Sequence, residues 1–307
     1  MALTPSTFVI SITPFAQDGS LDEQAFRRHL RRLGAAKIGV YVGGGGSGEA
    51  YTYEEGEQKR VMEIATEELK GKTPVRAMGV EPRTAKQMIA FLKIAKQSGI
   101  DAAQVYSLDV GHAHVPTNEE LNAYFSEVLE AVDVPSVIST HQSVGYRIPP
   151  ELVVELANRY KHVVGINCTH PDLGYLATVI DGVKGRIPVH VGGPMQGLTV
   201  LAMGGQGFLS SEGNLAPNLC VSVIDNYIKN DMAGMMAAFG KLIRLFTALY
   251  GNGGIRATKA VLNHLGLAGG YPRKPRLAVE DSRMPNAFKV AEQLGLAEIE
   301  KWQEWVK

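Results

Sequence analysis

The chain has 307 residues, 31 Lys and Arg against 31 Asp and Glu, 45% apolar content and two cysteines. Zero formal charge argues against nucleic acid or an anionic membrane surface as a partner, and the lack of an unbroken run of about 18 apolar residues excludes a transmembrane helix. Cys168 and Cys220 are too few for a disulfide scaffold and lack metal-ligand spacing, and the N-terminus shows neither the basic start nor the small-residue cleavage site of a signal peptide, so a cytoplasmic protein is expected.

Short apolar runs rich in Val and Ile recur along the chain, at 8–15, 38–43, 74–80, 102–108, 136–141, 163–168, 187–192 and 207–211. They alternate poorly between apolar and polar, as parallel strands covered on both faces do. Helix signals lie between them. Ser20 to Glu23, Thr52 to Glu55 and Thr117 to Glu120 have capping-box spacing, in which a hydroxyl and a carboxylate each satisfy a free amide. Phe26, Leu30 and Leu33 recur at helical spacing, as do Phe125, Val128 and Val132, and Pro149-Pro150 suits a first helical turn. Eight strand–helix alternations within about 225 residues predict a closed (β/α)8 TIM barrel over an open sheet. Beyond about Pro217 the strands stop and helical patterns follow near 218–230, 233–250, 254–265 and 286–306. The expected division is a barrel over 1–225 and a C-terminal helical region over 226–307.

Catalytic groups of such barrels sit where strands end and βα loops begin. Strand two is followed by Gly43-Gly-Gly-Gly-Ser47-Gly48-Glu49, strand four by Asp109, His112 and His114, and strand five by Ser139, Thr140, His141 and Gln142. Strand six ends at Asn167-Cys168-Thr169-His170, and strand eight at Ser210 through Asn214. Gly43, Gly45 and Gly48 match GxGxxG formally, but the run does not open a βαβ unit and no GK[ST] follows. Two readings of it stay open. In one, the amides of Gly45 and Gly46 with the Ser47 hydroxyl bind a small carboxylate; in the other, the run is a tight structural turn.

The segment Gly45-Gly-Ser-Gly-Glu-Ala50 with Tyr53 through Val61 resembles the GTTGES…LTxEE segment of the dihydrodipicolinate synthase/N-acetylneuraminate lyase family. Ile12 to Asp22 is similar to that family's TPF…DG.LD opening, Leu201 to Pro217 to its strand-eight segment, and Arg256 to Gly266 to its tail helix. The resemblance spans the whole chain. It implies a (β/α)8 barrel with a helical tail, assembled as a homotetramer of two tight dimers, acting on a small-molecule carboxylate without cofactor or resident metal.

The resemblance also implies a lysine in strand six that binds a 2-oxo acid as a Schiff base, but Gly165-Ile166-Asn167 stands at that GIK-type motif. An amide nitrogen is not a nucleophilic amine and forms no imine. The family's strand-five tyrosine aligns with Ser139, its arginine with Val144 or Gly145 just before Tyr146-Arg147, and its tyrosine pair after strand four with Asp109-Val110. Ser47 alone keeps the hydroxyl relay. His112, His114, His141 and His170 are four of the chain's eight histidines and fall on loops at one barrel end. Three roles stay open for them: solvated fillers, acid/base or carboxylate-binding groups, and a chelate from His112-Ala-His114 with His141 or His170. The candidate catalytic set is His141, His170, Asn167 and Ser47. The candidate substrate contacts are Gly45, Gly46, Ser47, Ser139, His112, His114 and Leu209. Cys168 is expected to face the helices as a small hydrophobe, and Asn214 to hold the strand-eight loop. The chemistry expected is a lyase-like aldol or hydration/dehydration reaction on a small oxo acid, without an imine. The competing expectation is a non-catalytic small-acid binding or regulatory protein.

Overall fold

The computed structural model describes residues 3–141, 144–279 and 284–306. Eight parallel strands close into a barrel in chain order: β1 (Ser6–Ile10), β2 (Gly39–Val42), β3 (Val75–Ala77), β4 (Ala102–Val105), β5 (Ser136–Ser139), β6 (Val163–Cys168), β7 (Val189–Gly192) and β8 (Gly207–Ser210). The first seven are followed in turn by helices α1 (Glu23–Ala35), α2 (Glu57–Leu69), α3 (Ala85–Gln97), α4 (Asn118–Ala131), α5 (Pro150–Arg159), α6 (Leu173–Val183) and α7 (Gly197–Ala202). After β8 come α8 (Pro217–Ile228), α9 (Met232–Gly251), α10 (Ile255–His264), α11 (Pro285–Gln293) and α12 (Leu296–Ile299). The predicted TIM barrel and its helical C-terminal region are therefore both present.

Seven strands lie inside their predicted runs. β1 starts earlier and stops at Ile10, because the N–H of Ile12 leaves the ladder and donates to Asn214 Oδ1 at 2.9 Å. Of the three predicted capping boxes only Thr117 with Glu120 forms, with both reciprocal bonds made, at 3.2 and 2.7 Å. At α1 the Ser20 hydroxyl is drawn to Asp18 instead, and Asp22 caps the helix by accepting from Ala25 N at 2.9 Å. At α2 Gly56, with φ of 84°, breaks the chain just before the helix, and Thr52 donates to Glu49 O. The expected tail helix over 286–306 divides where Gly295 takes φ of 68°.

One expectation needs correction. By length and composition α9 is apolar enough to cross a membrane, because Lys241 and Arg244 interrupt its apolar run without dominating the average. Its inward face, Met235, Leu242, Leu245 and Leu249, is buried, and it packs on α8.

The chain forms two compact units, one of Met1–Pro5 with Arg76–Leu209 and the other of Ser6–Val75 with Ser210–Lys307. In the first, the helices of β4 through β7 bury stripes such as Leu121, Phe125 and Val128 of α4 and Leu152, Val153 and Leu156 of α5. In the second, Phe26, Leu30 and Leu33 of α1 are fully buried, and a polar clip sits beside them. Asn214 Oδ1 accepts from Ile12 N and pairs with His29 Nε2 at 3.0 Å, while its Nδ2 donates to Ile10 O and Ser211 O, both at 2.8 Å. Asn214 thus ties β1 to the segment after β8, as the sequence suggests.

Burial pulls the His29 imidazole down to about pKa 3, with the nearby Arg32 guanidinium adding to the effect. The ring is neutral and donates from Nε2 to Asn214. In the unfolded chain His29 takes up a proton near pH 6.5. Between that pH and about 3 the unfolded state binds more protons, so stability falls as pH falls, by about 1.4 kcal/mol per unit. Denaturant titrations from pH 7 to pH 4 are expected to show this slope, and His29→Gln is expected to lose that part of it.

Candidate active site

In the first unit, strand register decides which side chains share the barrel interior. Ser139 of β5 is paired with Asn167 of β6, and Asn167 with His190 of β7. Residues paired across neighbouring strands point to the same face, so these three side chains lie at one level. Gln104, paired with Val137 of β5, is one step below Ser139 on that face, and Asn167 Nδ2 donates to Gln104 Oε1 at 2.6 Å. Gln104, Ser139, Asn167 and His190 are each at most 3% exposed. Such a buried polar layer requires internal partners, since each unpaired group would cost 1–3 kcal/mol or so. Leu209 of β8, paired with Gly192, is buried as well.

Cys168, one residue after Asn167, faces the opposite way. Burial raises its thiol pKa, and it lies close enough to Tyr175 of α6 to perturb that phenol. The Tyr175 hydroxyl donates to Ile148 O at 3.0 Å. A buried thiol with a raised pKa is a packing group and not a nucleophile.

The loop histidines have separate surroundings. His141 is half-exposed, and its Nδ1 lies 2.7 Å from Glu81 Oε1, on the segment after β3. Its main-chain N–H donates to Ser139 Oγ at 3.3 Å. His170 stacks on Tyr175 with centroids 4.5 Å apart, and its Nδ1 accepts from Asp172 N at 3.1 Å. Burial lowers the His170 pKa, with Arg147 contributing, so His170 is a neutral ring held against the start of α6. His112 and His114 are exposed, on a turn where Gly111, His112 and Ala113 all have positive φ. Asp109 braces that turn by accepting from Gly111 N at 2.9 Å and Arg83 Nη1 at 3.3 Å. Among the described residues no three His, Cys, Asp or Glu side chains converge in a way that would hold a metal. Gln142, which follows His141, lies outside the described residues.

In the second unit the glycine loop after β2 is built around two constraints. A Cβ on Gly48 would lie 2.8 Å from Gly44 O and 2.9 Å from Gly44 N, so the loop closes on its own backbone only with glycine there. Glu49 follows in the left-handed region, with φ of 60°, a conformation that costs a non-glycine residue about 1 kcal/mol or more. Burial of its carboxylate holds it there. Glu49 Oε1 pairs with Lys259 Nζ of α10, and Oε2 accepts from Arg273 N at 3.2 Å. Lys259 also donates to Thr13 O at 2.8 Å and Tyr271 O at 2.9 Å, which uses all three of its donors. Burial lowers its pKa to about 8, yet the closed donor set keeps it an ammonium. Arg273 extends the network to Glu57 and to the carbonyls of Gly19 and Thr52, over the Phe15 ring. Gly46 is exposed, Gly45 half-buried and Ser47 buried.

Residues 5–294 match the model of the Dihydrodipicolinate synthetase family. The chain belongs to that family. It is 30% identical over 275 residues to a 4-hydroxy-tetrahydrodipicolinate synthase of Methanopyrus kandleri, covering 89% of this chain and 90% of the relative. A synthase of the same name from Rhodopseudomonas palustris is 29% identical, covering 91% and 94%. Among solved structures, dihydrodipicolinate synthase from Thermotoga maritima superposes with a TM-score of 0.86 at 23% identity, covering 95% of this chain and 99% of that one. A prophage protein of the dihydrodipicolinic acid synthase family from E. coli K12, in complex with pyruvate, gives 0.84 at 23% identity, covering 96% and 100%. At these identities the structures support the fold alone.

Asn167, Ser139 and His141, singled out in the sequence, have three neighbours that the sequence does not point to. Gln104 and His190 sit inside runs that read simply as strand, and only the pairing register places them beside Asn167. Glu81 reads as a loop carboxylate, and its partner lies 60 residues away. The Glu49 carboxylate proves to be a brace, as its burial between Lys259 and Arg273 shows. Lys259→Met would strand that carboxylate without its countercharge, and such removals cost about 3–5 kcal/mol. Thermal unfolding of this variant is expected to show a loss of that order, larger than for Arg276→Met, whose guanidinium is exposed beside Gly46 O.

Proposed function

We propose that the protein is a lyase-like enzyme that acts on a small oxo-acid carboxylate without forming a lysine Schiff base. Its reaction is an aldol cleavage or condensation, or a hydration/dehydration. The observation that carries this reading is Asn167, an amide buried on the interior face of β6 and hydrogen-bonded to Gln104. Among the described residues no lysine lies in any of the eight strands. The buried amine of Lys259 is engaged with three acceptors and offers no lone pair to a carbonyl. Without an imine to draw electrons from the substrate, proton movement falls to the loop histidines, of which half-exposed His141 is placed best. His170, with Nδ1 bonded to Asp172 N, serves α6 first.

Borohydride reduction in the presence of pyruvate, read by intact mass, is expected to leave the protein unmodified. A stoichiometric adduct mapped to a lysine of the barrel would overturn the lysine-free mechanism. Turnover assays over a panel of 2-oxo and 4-hydroxy-2-oxo acids then separate an enzyme from a binding protein, since saturable binding with no conversion of any acid favours the latter. The reading further takes the protein to be a cytoplasmic homotetramer built as a dimer of dimers, in keeping with its family. Sedimentation at micromolar concentration is expected to give four times the 33.1 kDa chain mass, and a monomer would contradict this.

A further inference from the structure

A cavity of about 230 Å3 opens between the last turn of α1, the first turn of α8 and the chain that follows α12, all within the second unit. Arg32, Pro217 and Glu300 are its buried lining, with Arg32 4% and Glu300 2% exposed. Ala35, Lys301 and Glu304 are exposed and mark its mouth. The cavity is smaller than the roughly 300–1,000 Å3 of sites that take drug-sized molecules, so its size suits a small metabolite.

The two buried charges are bonded to backbone groups. The Arg32 guanidinium donates to Asn214 O, and to Leu215 O at 3.2 Å, which uses two of its five N–H donors. The Glu300 carboxylate accepts from Asn218 N at 3.0 Å and from Leu219 N at 2.9 Å. Each oxygen takes one of these bonds and keeps a further lone pair. Burial pulls the Arg32 pKa down to about 10 and pushes that of Glu300 up to about 7. Both shifts mark charges that have lost more water than their partners replace. Lys301 and Glu304 repeat the two signs at the mouth, so the charges of the lining balance. A ligand of one sign finds no excess to attract it, whereas a ligand carrying both signs finds each one matched. Ala35, Ala36, Ile299 and Trp305 add apolar surface.

We propose that this cavity is a binding site for an α-amino acid zwitterion with a short apolar side chain. The ligand carboxylate accepts from the remaining N–H donors of Arg32, and the ligand ammonium donates to Glu300. Both contacts are charge-assisted, and so are stronger than bonds between neutral groups. The apolar side chain lies against Ala36, Ile299 and Trp305. Arg32 belongs to α1 and Glu300 to the chain after α12, so an occupant joins the end of the chain to the first helix of the barrel. Binding favours this docked arrangement by mass action. The site is independent of the reaction proposed above.

Both tryptophans of the chain, Trp302 and Trp305, lie in this end segment, and Trp305 lines the cavity, so intrinsic fluorescence reports occupancy. L-Leucine added to the full-length protein is expected to change that fluorescence saturably and to raise the melting temperature with concentration. Two fragments of leucine separate the contacts, since 3-methylbutan-1-amine lacks the carboxylate and 4-methylpentanoate lacks the ammonium. Each is expected to bind at least about tenfold more weakly, the scale of one bond to a charged group. Glu300→Gln keeps an acceptor for the α8 amides and is expected to weaken leucine binding about tenfold as well. Ala35→Phe, at an exposed position, is expected to close the mouth and abolish binding with the fold intact. Leucine without effect on either fluorescence or melting overturns the site. Either fragment binding as tightly as leucine overturns it too, as does unchanged leucine binding in either variant. If Glu300→Gln does not fold, the two fragments and Ala35→Phe decide.

Discussion

A closed parallel barrel leaves each strand with no free edge and two covered faces, and every other feature of this protein answers to that constraint. Backbone groups are satisfied by the neighbouring strands, so side-chain direction along a strand is set by strict alternation. Asn167 faces inward and Cys168 outward for this reason alone. The same alternation, carried through the register of β5, β6 and β7, gathers Ser139, Asn167 and His190 at one level. A polar layer closed off from water calls for internal bonds, and the Nδ2 of Asn167 answers part of that demand by donating to Gln104.

The second unit solves a different problem, which is how to hold a glycine-rich turn in one shape. Glycine lets the backbone approach itself at Gly48, but it offers no side chains to stiffen the loop. Rigidity comes from the next residue, Glu49, strained in its backbone and buried in its carboxylate, with α10 supplying Lys259 from 210 residues away. A buried ion pair is a poor source of net stability, because desolvation offsets most of its attraction. It is an effective source of specificity here, since only one arrangement satisfies Glu49, Lys259 and Arg273 together. The clip of Asn214 with His29 has the same logic in neutral form.

The groups that support this barrel are therefore distinct from its loop histidines. Lys259, Arg273 and Asn214, which hold the fold, are buried and bonded through their side chains, and buried His29 is bonded through Nε2, whereas the loop histidines lie near solvent. His141 stands apart from the other loop histidines by its carboxylate partner. His170 is committed to a ring stack and a helix start, and His112 and His114 ride an exposed turn.

Much of the fold was legible in the sequence because it rests on local rules. Strand-length runs of Val and Ile, with helical spacing between them, fix eight βα alternations. Four ordered motifs also carry the family resemblance along the chain. Helix starts were less legible at Ser20 and Thr52, where a nearby Asp or Gly decided the cap through contacts that spacing alone does not rank. The candidate site divided in the same way. Asn167 and His141 could be found because strand ends are visible in a sequence. Gln104, His190 and Glu81 could not, because each acquires its meaning from a residue on another strand or loop. Sequence alone determines which side chains a strand presents and to which face; only closure and register decide which of them meet.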